Sequence, residues 1–182
     1  MCKISHTQFT DLVEVAPYLK DNGIKIIHLT RDNILLSALS EVVRHQQYKP
    51  THAFYERPLF RKINIDPKKV VEVCDRMRSR RIEVMKLIKF YEYDEVLYLD
   101  YKDLVGEEGR EVVGIPIPTG EKICDYLEVG YAPLLAPSMR KVSYPPAQTI
   151  LNWEEVKREI KGTIYKKFIP GVEAIRVEEE EI

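Results

Sequence analysis

Apolar positions along this chain follow two periods, and the switches between them mark its elements. Ile26 to Leu29 form an apolar run of strand length, and just beyond it Leu35, Leu36, Leu39, Val42 and Val43 recur at helical spacing. This predicts a strand that feeds an amphipathic helix through Thr30-Arg31-Asp32, with the helix ending near Gln47. Asn33, Ser37, Ser40 and Arg44 lie three or four residues apart on the opposite stripe of that helix, and Asn33 and Asp32 are read as its capping residues. A longer helical period runs through Val70, Cys74, Met77, Arg81, Met85 and Ile88 to about Phe90. Asp66 is its expected N-cap and Pro67 its first helical residue. Glu95 to Tyr101 alternates and is largely apolar, which predicts a second strand. The shorter expected elements are a strand at Lys3 to His6, a helix from Thr10 to Lys20 broken near Pro17, and a helix from Thr119 to Leu127. A last helix spans Trp153 to Lys161, capped by Asn152 and stopped by Gly162.

Punctuation falls where these elements need it. Asp21-Asn22-Gly23 is a turn signal. Tyr48 to Asn64, with Pro50 and Pro58, reads as an irregular surface loop, and Gly106 to Arg110 as an exposed one. Ala132 to Pro146 is proline-rich and extended, and the acidic tail from Val177 to Ile182 is expected to be frayed. Residues 1–176 are read as one domain without internal repeats. Strands alternating with helices imply an α/β domain of three layers, a parallel sheet covered on both faces. Ligands in such sheets bind beyond the C-terminal strand ends. Arg31 and Tyr101 both occupy such ends and are expected to share one crevice. An arginine beside a helix start and a serine-bearing face makes an oxyanion pocket, because helix N–H groups and guanidinium both favour phosphate oxygens.

Composition narrows the partners. A chain of 182 residues, 45% hydrophobic and 31% charged, suits a globular protein with a substantial core. The net charge of −1 lacks the basic surplus that generic nucleic-acid or membrane adhesion requires. The basic run Arg76-Met-Arg78-Ser-Arg80-Arg81 is interleaved with Glu72, Asp75 and Glu83 and reads as a solvated helix face. Cys2, Cys74 and Cys124 are odd in number, widely scattered and without metal spacing. They fit isolated thiols in a reducing compartment, so the cytoplasm is the expected location. No run approaches the length of a membrane span, and no signal peptide opens the chain. No metal site is visible.

Three blocks in order carry a family resemblance. His28-Leu-Thr-Arg31-Asp-Asn33-Ile-Leu35, with Ser40, resembles the 3′-phosphate-binding segment of sulfotransferases that use 3′-phosphoadenosine 5′-phosphosulfate (PAPS). Leu97-Tyr-Leu-Asp-Tyr101-Lys-Asp103-Leu-Val is similar to the tyrosine-glutamate-aspartate-leucine element that follows a strand in that family. Pro137-Ser-Met-Arg140-Lys141, then Ile150-Leu-Asn152-Trp-Glu-Glu-Val156 and Ile160-Lys-Gly162-Thr163, is similar to the closing segment of bacterial-type members. The resemblance implies a P-loop NTPase-like sulfotransferase fold. Within it Arg31, Ser40, Arg140 and Lys141 would hold the 3′-phosphate, and Tyr101 would lie beside adenine. Lys3-Ile-Ser-His6 resembles a lysine-threonine-histidine strand element with one extra residue between lysine and histidine. That likeness makes His6 the candidate base and Lys3 the residue that stabilises charge on the bridging oxygen. His28 is read as a core or strand histidine.

The chain also departs from the family. Its members open with a strand, a loop that cradles the 5′-phosphosulfate, and a helix, and none of the eight glycines here sits in a phosphate-loop pattern. The fold is therefore expected to be incomplete, the C-terminal portion of such an enzyme, with little transfer by this chain alone. The implied reaction moves a sulfuryl group to a hydroxyl or amine on a small-molecule or carbohydrate acceptor, without a metal. The alternative is a non-catalytic nucleotide-binding relative. A kinase on the same architecture would need a Gly-rich Lys-Ser/Thr loop. Loss of a central strand would expose the sheet edge near Ile26, which predicts self-association or repair of the gap by Lys3 to His6.

Overall fold

A computed structural model describes residues 12–47, 62–93, 96–105, 115–133 and 145–170. The elements in order are α1 (Leu12–Asp21), β1 (Ile26–Thr30), α2 (Ile34–Gln47), α3 (Pro67–Phe90), β2 (Val96–Asp100) and α4 (Tyr101–Val105). They continue with α5 (Ile117–Leu127), α6 (Pro146–Thr149), α7 (Trp153–Lys161) and a 3-10 helix at Ile164–Phe168. The architecture is mixed α/β and mostly helical, and the sheet among the described residues is a single parallel pair. The expected strand at Lys3 to His6, the loops at 48–61 and 106–110, and the acidic tail lie outside the described residues. Contacts gather the chain into two compact units, Met1–Asp32 with Ser79–Val142 and Asn33–Arg78 with Ser143–Ile182. The first is called the strand unit below and the second the helical unit.

In the strand unit, β1 and β2 run parallel from Ile26 opposite Val96 to Thr30 opposite Asp100. An isolated strand pair is marginal in water, so it needs a helix to cover one face. Helix α5 does this: Ile123 is buried with Leu97 and Leu99, and Ile27, Tyr126 and Leu127 pack around them. The Tyr126 hydroxyl accepts the Ile26 N–H at 2.8 Å and donates to the Ile26 carbonyl at 2.9 Å, which satisfies the first residue of β1. Lys25 Nζ donates to the Tyr126 carbonyl and to Glu128 Oε1, each at 2.7 Å. Helix α5 starts two residues earlier than its predicted Thr119, because prolines suit the opening turn of a helix, where no N–H is required.

Three helices of this unit close in the same way. Gly23, Glu92 and Glu128 have positive φ, at 59°, 46° and 57°. In each case the next residue donates back to the carbonyl five residues earlier: Ile24 to Leu19, Tyr93 to Ile88, and Val129 to Cys124. These are Schellman closures. Only the first uses a glycine, so only the first carried a turn signal in the sequence. Helix α1 passes through Pro17 without the predicted break. The proline ring removes one helical N–H but holds a φ that the helix accepts. The end of α1 is also clasped: the Tyr93 hydroxyl donates to the Ala16 carbonyl, and Lys20 Nζ donates to the Tyr91 carbonyl at 2.6 Å.

The helical unit has the larger core. Helix α2 buries Leu35, Ala38, Leu39 and Val42, and the first half of α3 buries Val70, Val73 and Cys74. Helix α7 adds Trp153, Val156 and Ile160, and the 3-10 helix adds Tyr165. Each fully buried aliphatic side chain contributes about 1.5–3 kcal/mol. Asn33 caps α2 by accepting the Leu36 N–H at 3.0 Å, and Asp66 caps α3 by accepting the Lys68 N–H at 2.9 Å. Both caps match the sequence reading.

Asn152 does not. Its side chain makes no cap bond to α7. Ile63 and Ile150 form a parallel bridge, in which Ile63 N–H donates to Thr149 and Leu151 N–H donates to Ile63. The Asn152 amide continues that ladder, accepting the Ile65 N–H at 3.0 Å and donating to the Ile65 carbonyl at 2.8 Å. The side chain thus stands in for a peptide group. Gly162 ends α7 as expected, but with right-handed backbone.

Candidate functional site at the strand ends

Parallel pairing brings the two strand ends level, because Thr30 faces Asp100. The next residue on each chain leaves from the same height, and the Arg31 guanidinium lies 5.3 Å from the centre of the Tyr101 ring. The two residues expected at the strand ends therefore lie against each other, although neither lines the cleft beside them. A cation over a partly exposed ring contributes about 0.5–1 kcal/mol, enough to favour this placement of the arginine.

Asp100 organises the turn beneath them. Its Oδ1 accepts the Lys102 N–H at 2.9 Å, while Asp103 Oδ2 accepts the Asp100 N–H at 2.9 Å. This reciprocal pair is a capping box on α4. The second Asp100 oxygen, Oδ2, accepts the Asp32 N–H at 2.6 Å from the turn after β1. Burial pushes the Asp100 carboxyl up. The Lys102 and Asp32 N–H donors and the Lys102 charge outweigh that effect and hold it below the usual carboxylate value.

Beside this turn is a cleft of about 250 Å³, on the sheet face that carries His28, Thr30 and Tyr98, with Arg81 and Met85 of α3 along its wall. His28 is 5% exposed and meets Tyr98 edge-on at 5.7 Å, consistent with its reading as a strand histidine. Asp32 draws in two cations, Lys102 Nζ at 3.5 Å and Arg81 at 3.9 Å. All three side chains are well exposed, so these pairs add little stability. They do occupy the local cations. Arg31 makes no ion pair among the described residues.

The remaining candidate residues are distributed as follows. Ser40 belongs to the helical unit and sits mid-way along α2, with its hydroxyl donating to the Leu36 carbonyl at 2.8 Å. That bond uses the proton a phosphate would need, so anion binding there requires the hydroxyl to rotate. Lys3, His6, Arg140 and Lys141 lie outside the described residues. In the basic run on α3, Arg76 pairs with Glu41 and Arg80 with Glu83, as a solvated ion-paired face should. Among the described residues no group of three or more His, Cys, Asp or Glu is placed to hold a metal ion. No helix among them is long and apolar enough to cross a membrane.

Sequence reasoning missed Asp100, Lys102 and Arg81. The capping-box spacing of Asp100 and Asp103 after an apolar strand was the available signal for the first. Neither family models, nor curated proteins, nor solved structures give a match to this chain.

Proposed function

We propose that the end of the β1–β2 pair binds an adenine nucleotide through its 3′-phosphate, as the donor PAPS is bound in the sulfotransferases this sequence resembles. The observation that carries the proposal is the state of Arg31. Its guanidinium rests on Tyr101 and has no carboxylate partner among the described residues, while the neighbouring Arg81 and Lys102 both face Asp32. A half-buried arginine with no internal anion among the described residues is suited to an external one, and its planar fork matches phosphate oxygens in pairs. On this reading Arg140 and Lys141 add donors to the same phosphate, and Tyr101 offers a face to adenine. β1 and β2 are then two strands of a three-layer, P-loop NTPase-like sheet in a cytoplasmic protein.

The reaction class is sulfuryl transfer. The acceptor hydroxyl or amine gives up its proton to a base, with His6 as candidate. The new bond to sulfur forms as the bond to the bridging oxygen breaks, and Lys3 stabilises the charge left on that oxygen. A second reading, nucleotide binding without transfer, is favoured by one observation: no Gly-rich phosphate loop occurs in these 182 residues.

Calorimetry with 3′-phosphoadenosine 5′-phosphate against adenosine 5′-phosphate tests the binding. The 3′-phosphate should tighten affinity, and Arg31→Ala should weaken it about tenfold or more, as expected for loss of a charge-assisted hydrogen bond. Equal affinity for the two nucleotides refutes the assignment. Turnover of PAPS with a phenol or alcohol acceptor decides between the two readings.

A further inference from the structure

Asp100 holds both turns that carry the nucleotide side chains. Arg31 is followed by Asp32, whose N–H donates to Asp100 Oδ2 at 2.6 Å. Tyr101 is followed by Lys102, whose N–H donates to Asp100 Oδ1 at 2.9 Å. One carboxylate therefore fixes the main chain immediately after each of the two residues. Lys102 closes the ring, its Nζ lying 3.5 Å from the Asp32 carboxylate. Parallel pairing ends at Thr30 and Asp100, so beyond that point no strand hydrogen bonds keep the turns together. The spacing of 5.3 Å between guanidinium and ring is maintained past the last rung of the sheet.

We infer that Asp100 is a positioning residue for the 3′-phosphate nucleotide, acting through Arg31 and Tyr101 without touching the ligand. This rests on the nucleotide reading above. The carboxylate is needed because both atoms it holds are N–H donors. An asparagine supplies one acceptor oxygen and turns an NH₂ group toward the other donor. One turn is then released, and Arg31 loses its fixed relation to the ring. Preorganisation of this kind is paid for in folding and recovered in binding.

The test uses the full chain with Asp100→Asn, and Asp103→Ala as its companion. The second change removes the return bond of the α4 capping box but leaves the Asp100 link to Asp32. Amide hydrogen exchange at Asp32 and Lys102, measured without ligand, reads the clasp itself. In Asp100→Asn, protection of at least one of these amides should fall about tenfold or more. Titration with 3′-phosphoadenosine 5′-phosphate should weaken about tenfold in Asp100→Asn and by less than about twofold in Asp103→Ala. In an Arg31→Ala background, Asp100→Asn should add little, because a residue that acts through Arg31 has nothing left to position. Unchanged exchange in Asp100→Asn overturns the clasp. Lost protection with unchanged affinity, equal weakening by both variants, or full additivity with Arg31→Ala each overturns the positioning role. A wild type without preference for the 3′-phosphate overturns the nucleotide reading and this role with it. That outcome is told apart because the wild-type titration alone reveals it.

Discussion

Replacing Asn152 separates two roles that a sequence cannot distinguish, the helix cap and the ladder rung. As a cap, Asn152 would accept an N–H of α7, and serine or aspartate would serve within a few tenths of a kcal/mol. As a rung, it exchanges two hydrogen bonds with Ile65, at 3.0 and 2.8 Å, and neither substitute can make both. Ile65 is 2% exposed, so water does not readily replace the lost partners. Two bonds at a net 0.5–1.5 kcal/mol each, plus part of the cost of stranding a buried N–H and C=O, give on the order of 2–4 kcal/mol for Asn152→Ala. Asn152→Asp should cost at least as much. It keeps an acceptor for the Ile65 N–H but sets a carboxylate against the Ile65 carbonyl and beside Glu155 Oε2, now 3.2 Å from the amide nitrogen. Asn152→Ser is too short to reach either group. Trp153, the sole tryptophan, lies in the core of the same unit and reports its unfolding by fluorescence. With a urea m-value of about 1–3 kcal/mol/M, the midpoint should fall by about 1–2 M for all three variants. A midpoint for serine or aspartate within about 0.3 M of wild type would restore the cap and refute the rung.

Three further outcomes follow from helix closure and from the buried titrating groups. Glu92 adopts a left-handed backbone at φ 46°, so Glu92→Gly should raise stability by about 0.5–1 kcal/mol in thermal unfolding despite the entropy glycine gains when unfolded; a loss would refute the closure. Burial and the adjacent Asp75 charge push the Cys74 thiol up from 9.0 to about 12, while burial and the hydrogen bond to Asp75 raise the Tyr165 phenol. Both folded values exceed the unfolded ones, so this stabilisation is whole below the unfolded values and is lost as pH rises through the folded ones. The urea midpoint read from Trp153 should fall steadily from about pH 9 toward 12, and a flat profile would refute the linkage. For the same reason, a thiol reagent at pH 8 should modify Cys74 only as fast as the helical unit opens.

What the sequence revealed depended on whether a residue's partner was near it in the chain. Asn33 and Asp66 cap helices that begin one residue later, so composition and position sufficed. Arg31 and Tyr101 are 70 positions apart, yet both end parallel strands, and that one rule placed them together. Asn152 misled because a capping asparagine and a laddering asparagine have the same local sequence; only the arrival of Ile65, 87 residues earlier, decides between them. Glu92 and Glu128 gave no turn signal because glutamate rarely adopts positive φ, and the five-residue return bond imposes it. The second half of α3 shows the limit of periodicity. Arg81 and Met85 continue the apolar stripe of Val70 and Cys74 on paper, but in the fold they border a cleft and are substantially exposed.

The charge balance at the strand ends bears on how such a site could work at all. Asp32, Asp100 and Asp103 bring three carboxylates close to the residue proposed to receive a phosphate. Asp100 stays ionised throughout the neutral range, since its carboxyl is held below the usual value. Its oxygens are directed at main-chain N–H donors, and those of Asp32 at Arg81 and Lys102, so their charge is partly spent before a ligand arrives. Arg31 still acts against a negative background. One guanidinium about 4 Å from a unit negative charge gains about 1 kcal/mol in water and about 4 kcal/mol near a protein surface. Micromolar affinity needs about 8 kcal/mol. Arg31 cannot supply that alone, even with adenine resting on Tyr101. The resemblance that selects Arg31 also selects the basic pair Arg140-Lys141, and the charge balance gives an independent reason for wanting it. If the proposed function holds, the basic pair would have to contribute to 3′-phosphate binding on the same scale as Arg31, so replacing Arg140 and Lys141 by alanine should weaken binding at least as much as Arg31→Ala.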